Sequence, residues 1–295
     1  MDRPRRHPVT DARTGSEPMR DAIRTHRVHH WLALLLLCLA ARAGAAYTPL
    51  TTQQVADQVY ALIGETGPRS AQNHALNNNL AFIVTPQGVI LVDTGATPRA
   101  ARLIEAAIAQ VTNQPIRWVI NTGSQDHRWL GNSYFAERGA QLLALERTVR
   151  VQREYAHSHI QRLSGVLGDQ AREIRPVHAA GIAGDRAHLN LGGTRIELIW
   201  PGDAHFPGDA IVWLPQQRTV ITGDLVYVDR MPGILPHSRV VQWGQECRYL
   251  VKDFGTSQSP KSTRQRDSRY CPDRPALITT PSRTLQQSCS CATPS

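Results

Sequence analysis

Lysine is missing from the first 251 residues of this 295-residue chain and occurs only at Lys252 and Lys261. Cysteine is almost as scarce. Segment 47–246 contains none, and the five present are Cys38, Cys247, Cys271, Cys289 and Cys291. No Cys-x-x-Cys pair exists, so a cysteine-built zinc module is excluded, and Cys289-x-Cys291 alone is a weak pattern. An oxidising compartment would allow the tail thiols to pair, in a connectivity the sequence does not reveal. Surplus charge is missing from the body as well. The formal charge is +9, but residues 1–46 carry eight Arg against four acids and residues 247–295 eight Lys/Arg against three Asp. The segment between balances 17 Arg with 17 Asp/Glu. A neutral body argues against a nucleic-acid partner.

A long apolar run is lacking too. The longest, Trp31 to Ala41, has 11 residues, too few to span a bilayer comfortably. Arg20, Arg24 and Arg27 precede it and Ala43-Gly44-Ala45 follows, the layout of a secretory signal peptide. Residues 1–46 are therefore expected to be leader and signal, with Met19 as an alternative start and an uncleaved anchor as the competing reading. Cleavage would leave a periplasmic or secreted protein without a stable membrane span.

From residue 47 onward the apolar pattern is that of a mixed α/β domain with ample length for a core. Thr52–Ile63 has helix-compatible spacing at Val55, Val59 and Leu62. Residues 79–85 and 88–92 read as strands joined at Pro86-Gln87-Gly88. Pro98 opens a helix to about Val111. Strands are expected at 117–120 and 141–145, a polar helix at 147–163, and short strands at 187–191, 194–200, 210–214 and 218–222. His157 and His159 fall on the polar helix and are expected to be solvated; His74, His178 and His188 lack ligand-like spacing. No internal repeat is present. Near Trp243 periodicity fades while Ser, Thr, Gln and Cys rise. The domain is thus bounded at 47–243, with an irregular, disordered tail at 244–295. A frame-shifted C-terminus, and with it a non-functional product, is the sharper alternative.

Three motifs carry the chemistry. Val92-Asp-Thr-Gly95 closes the first hairpin. Asn121-Thr-Gly-Ser-Gln-Asp-His-Arg-Trp-Leu-Gly-Asn132 follows the next strand. Ala204-His-Phe-Pro-Gly-Asp209 precedes Thr222-Gly-Asp224. In this order, over about residues 75–235, they resemble the metallo-β-lactamase superfamily. The second motif further resembles its periplasmic quinoprotein relay system zinc metallohydrolases, akin to SoxH-type proteins. The resemblance implies an αβ/βα four-layer sandwich, with C-terminal elements missing or replaced. It also implies one or two zinc ions held by His127, His205, Asp224 and Asp126. Asp126 would also be catalytic, orienting a zinc-bound hydroxide that attacks an ester, thioester or amide-like bond of a small molecule. Imidazole and carboxylate suit zinc, which lowers the pKa of its water toward about 7.

The second motif departs from the family's Asn-Thr-His-x-His-x-Asp-His. Aligned on Trp129-Leu-Gly-Asn132, Gly123 and Gln125 replace two histidines, His127 takes the Asp position and Arg128 the last His. Aligned on Asp126-His127, Thr122 and Ser124 replace the histidines. Either way a His pair is missing. Arg128 in the first register places a cation where a metal would sit. Asp93 reads as a turn residue that orients the loop, Asp209 as a cap, and His237 as the only histidine beyond Asp224. The rival to a zinc hydrolase is a non-catalytic binding or accessory protein on the same fold, with a periplasmic quinoprotein system as partner.

Overall fold

The computed structural model describes residues 50–227, 231–254 and 276–278; the expected signal segment and most of the tail lie outside these residues. A seven-stranded sheet runs in sequence order: β1 (Thr51–Ala56), β2 (Val59–Ile63), β3 (Leu80–Thr85), β4 (Gly88–Val92), β5 (Ile116–Ile120), β6 (Gln141–Leu145) and β7 (Ala180–Ile182). The second sheet holds β8 (Arg186–Leu191), β9 (Thr194–Ile199), β10 (Ile211–Leu214), β11 (Thr219–Ile221) and β12 (Ala276–Ile278). Helices are α1 (Pro98–Ala109), α2 (Asp126–Trp129), α3 (Asn132–Ala136), α4 (Glu146–Leu167) and α5 (Val240–Phe254).

Side-chain alternation along the strands builds the layers. In β4, Val89 and Leu91 join a core with Ala100, Ile104 and Ile108 of α1 and Phe135 of α3. Ile90 and Val92 face the other way, into a core shared with Leu198, Val212 and Ile221 of the second sheet. The outer face of that sheet, through Ile199, Ile211 and Val220, packs on Trp243 and Leu250 of α5. Helix, sheet, sheet and helix therefore stack in that order, the expected four-layer αβ/βα sandwich. Each fully buried Leu or Ile contributes about 1.5–3 kcal/mol. Thr97 caps α1, its Oγ1 accepting from the Ala100 backbone N–H at 2.9 Å, with Pro98 next in line; such a cap contributes about 1 kcal/mol.

Two expectations need correction. Thr52–Ile63 is not a helix but the β1–β2 hairpin, with a register shift between Gln54 and Ala56 and a positive φ of 57° at Gln58. Val59 and Ala61 enter the inter-sheet core while Leu62 enters the opposite one, so two-residue alternation overrides the coincidental helical spacing. Irregularity also does not begin at residue 244. Helix α5 continues to Phe254, and β12 pairs in parallel with β11. Among the described residues no helix is long and apolar enough to cross a membrane.

The layers place the chemistry at one edge. β4, β5 and β6 run parallel, so their C-terminal ends open on the same side. Asp93 and the 121–132 loop leave from those ends. The β9–β10 connection brings His205 and Asp209 to them, and the turn after β11 brings Asp224.

Candidate functional site

The loop after β5 is held by its own polar residues. Asn121 Nδ2 donates to the Arg128 carbonyl at 3.1 Å, and Asn132 Nδ2 donates to Asn121 Oδ1 at 2.8 Å. Trp129 Nε1 donates to the Ser124 carbonyl at 3.0 Å. Gly131 packs so closely that a Cβ there would lie 2.1 Å from the Thr94 carbonyl oxygen. Asn121 and Trp129-Leu-Gly-Asn132 are thus the framework of the loop.

Asp93 sits at φ 68° at the end of β4 and accepts from the Thr122 backbone N–H at 2.7 Å and from Thr122 Oγ1 at 2.6 Å. Its third donor is Arg128 Nη1, at 2.9 Å. Burial raises its pKa, against the pull of Arg128 and Thr122; three donors on two oxygens are the pattern of an ionised carboxylate. The Arg128 side chain is only 2% exposed. Its Nε and Nη2 grip the two oxygens of Asp224 at 3.0 and 2.6 Å, and Nη1 also meets the Asn79 carbonyl at 3.3 Å. This is the fork-on-carboxylate geometry that makes arginine the buried cation of choice. Burial works against both charges. Arg128, His127 and His205 nevertheless hold the Asp224 carboxyl well below its usual range, and Asp224 and Asp93 raise Arg128.

His127 touches Asp224 as well, Nε2 to Oδ2 at 2.8 Å, while Nδ1 lies 2.7 Å from Arg69 Nη2. A carboxylate can only accept, so Nε2 carries the proton given to Asp224, while Nδ1 stands between Arg69 Nη2 and Asp126 Oδ1. Both ring nitrogens are then engaged. Asp126 lies on the Nδ1 side of the same ring: its Oδ1 is 3.2 Å from His127 Nδ1, and its carboxylate takes Arg69 Nη1 and Arg162 Nη2, each at 2.8 Å. Burial would raise it, but Arg69, His127 and Arg162 hold it well below the ordinary carboxylate range. Of the four expected ligands, His127 meets Asp224 through Nε2 and stands beside Asp126 through Nδ1, and the Asp126 carboxylate is otherwise held by two arginines. Arg128 and His127 side by side on Asp224 match the register aligned on Trp129-Leu-Gly-Asn132.

His205 completes the edge. Its Nδ1 is 3.4 Å from Asp209 Oδ2 and 4.0 Å from Asp224 Oδ2, and Nε2 lies 3.2 Å from the Tyr227 hydroxyl. Burial lowers its pKa, but Asp209 and Asp224 more than compensate and raise it. Burial raises Asp209, whose Oδ2 accepts from the Phe206 backbone N–H at 3.0 Å. The space above Gly123 is filled: a Cβ there would lie 2.8 Å from Asp209 Oδ1 and 3.2 Å from Arg128 Cγ. Among the described residues, no three His, Cys, Asp or Glu side chains are placed to hold a metal ion together.

Arg69, Arg162 and Tyr227 were not singled out from the sequence. Arg69, on an unpatterned polar stretch, and Arg162, on α4, stand 57 and 36 positions from Asp126, and nothing local signals either contact. His159, expected to be solvated, is only 2% exposed; burial first of all pushes it down to about 4. It packs between Tyr155 and Phe206, with ring centroids 5.9 and 5.8 Å away. His237 is exposed and rests on Tyr155 with centroids 5.0 Å apart, so it joins neither Asp224 nor His205.

The lowered carboxyls fix an acid limit. Asp126 and Asp224 contribute stability in full above the unfolded value near 3.9, and that contribution is lost as pH falls through their lower folded values. Asp93 and Asp209, raised by burial, act in the opposite sense: their contribution is present in acid and lost as pH rises. The urea midpoint is expected to fall below about pH 4, because Asp126 and Asp224 are displaced well below the usual range and outweigh the opposite sense of Asp93 and Asp209. A midpoint that stays level from pH 5 to pH 2.5 would contradict the ion-pair description.

The profile of the metallo-beta-lactamase superfamily matches residues 75–253. The 2,4-dinitroanisole O-demethylase subunit alpha of Nocardioides sp. (strain JS1661) is 29% identical over 166 residues, 56% of this chain and 46% of that protein. A metallo-beta-lactamase type 2 of Bacillus sp. (strain 170) is 23% identical over 116 residues, 33% of this chain and 45% of its own length. The chain thus spans less than half of each of these two relatives. Among solved structures, a metallo-beta-lactamase from Pontibacter korlensis superposes with a TM-score of 0.58 at 15% identity, covering 80% of this chain and 92% of that one. The DIM-1 metallo-beta-lactamase gives 0.57 at 14%, covering 80% and 90%. The profile match covers more than half of the chain and takes in all three motifs, and the chain belongs to the metallo-beta-lactamase superfamily.

Proposed function

We propose that this chain is a binding or accessory protein on the metallo-beta-lactamase fold, rather than a zinc-dependent hydrolase. Members of the superfamily typically bind metal, often zinc, and the residues here do not fit one. The observation that carries the reading is the Arg128 fork on Asp224. It occupies both oxygens of one expected ligand, while the neighbouring His127 ring has both nitrogens hydrogen-bonded. Zinc needs deprotonated, unoccupied donors, usually three from the protein with one position left open. Asp126, held by two arginines, offers no substitute.

One observation favours the rival hydrolase. His205 Nδ1 and Asp209 Oδ1 are buried without a hydrogen-bond partner, and orphaned polar atoms at a site edge invite a ligand. That reading keeps the ester, thioester or amide-like substrates expected from the sequence. Export is supported by the apolar run at 31–41, and a periplasmic quinoprotein system as partner by the 123–132 loop; both belong to the proposal.

Metal analysis separates the two readings. After purification and zinc supplementation we expect below about 0.2 zinc per chain, and no chelator-sensitive hydrolysis of ester or thioester probes. Occupancy near one zinc per chain would overturn the binding-protein reading.

A further inference from the structure

We propose that Arg128 is a tethered cation: its guanidinium holds the Asp93–Asp224 pair together permanently, so the centre is complete without a metal and is closed to one. The inference rests on the binding-protein reading and goes further, because it names what replaces the metal and why the site cannot be loaded. The positive charge lies between carboxylates carried by two different sheets. Nη1 reaches Asp93 at the end of β4 at 2.9 Å, and Nε and Nη2 reach Asp224 after β11 at 3.0 and 2.6 Å. An ion bridging the same oxygens would join the same two sheets.

The neighbours are shaped for this side chain. Gly123, where the family has a histidine, leaves room for both Asp209 and the Arg128 stem, since a Cβ at 123 would stand 2.8 Å from Asp209 Oδ1 and 3.2 Å from Arg128 Cγ. Asn79 gives its carbonyl oxygen to Nη1, satisfying a donor that a carboxylate pair alone leaves over. Thr122 completes the Asp93 shell with its hydroxyl and its backbone N–H. A protein that kept the site for exchangeable metal would gain nothing from these arrangements. Removal of Arg128 leaves the two buried carboxylates without the guanidinium that joins them, a vacancy suited to a small cation of either kind, zinc or free guanidinium.

Thermal unfolding of Arg128→Ala, with and without added cation, tests the proposal. The wild-type Tm is expected to be indifferent to 100 µM zinc, to 10 mM guanidinium and to chelator. The variant is expected to lose about 6–20 °C and to recover at least half of that loss with either cation. Arg128→Lys, which keeps a charge but not the fork, should be intermediate and should ignore zinc. If Arg128→Ala does not fold, recovery of soluble protein by refolding with zinc or guanidinium, but not with sodium, is the equivalent result. A wild-type Tm in Arg128→Ala overturns the tethered-cation role, as does a loss that neither cation repairs. Both of those outcomes leave the metal-free reading standing. Zinc bound to the wild type would defeat the reading itself.

Discussion

Asp224→Ala is expected to remove a large part of the protein's stability. The side chain is 2% exposed and accepts from Arg128 twice and from His127 once. Its loss leaves a guanidinium buried with Asp93 as its remaining carboxylate, and an imidazole N–H without its acceptor. Breaking a buried pair from one side costs about 3–5 kcal/mol, against a total of about 5–15 kcal/mol for a typical domain. Asp224→Asn should cost less, because the amide oxygen can still accept one arginine donor while its NH2 opposes the others. Urea unfolding reads both, and the midpoint should shift with little change in slope. A loss below about 1 kcal/mol in Asp224→Ala would place this pair in the class of weak surface ion pairs, contrary to its burial.

The contrast between fold and site explains what the sequence made legible. The β3–β4 hairpin, α1, β6 and the strands from β8 to β11 were readable because each is local: alternation, a Thr97-Pro98 start and short turns lie within a few residues. The β1–β2 hairpin was misread because Val55, Val59 and Leu62 satisfy a helical spacing as well as a bulged strand pair, and the choice is made by β3, about twenty residues on. Helix α5 was overlooked although its signal exists. Trp243, Cys247, Leu250 and Phe254 recur at helical intervals, and all four join one apolar cluster; the polar composition around them masked it.

The site was legible only as a list of residue types. Nothing local states that Arg128 lies on Asp224, 96 positions away, or that Arg69 takes the nitrogen a ligand histidine would need free. Two registers of the loop are equally good in sequence. Arg128 and His127 share Asp224, while Asp126 turns toward Arg69 and Arg162. The framework residues Asn121, Trp129 and Asn132 bond to the loop backbone or to one another. Their pattern therefore reports the fold faithfully whatever chemistry the intervening side chains support.

The same geometry predicts that restoring the family's first histidine alone will do harm. In Gly123→His the new Cβ would stand 2.8 Å from Asp209 Oδ1 and 3.2 Å from Arg128 Cγ, in a region without exposed neighbours. Overpacking of this kind costs about 1–3 kcal/mol, and displacing Arg128 from its two carboxylates adds to that. If Gly123 and Arg128 are a matched pair, Gly123→His should be less damaging in an Arg128→Gly background, where the stem is gone and Asp209 is the one close contact left to shift. The double variant should then be more stable than the two single losses add up to, with a coupling of about 1–3 kcal/mol, measured by urea unfolding of all four proteins. The double variant also gains an imidazole beside Asp209 and the space the guanidinium leaves, so it should take up zinc where the wild type and Gly123→His do not. Additive losses would mean that the glycine merely accommodates the loop. Coupling without zinc uptake would separate the steric match from the electrostatic one and leave only the steric match standing. Coupling with uptake would mean that Gly123 and Arg128 together account for the exclusion of metal from this centre.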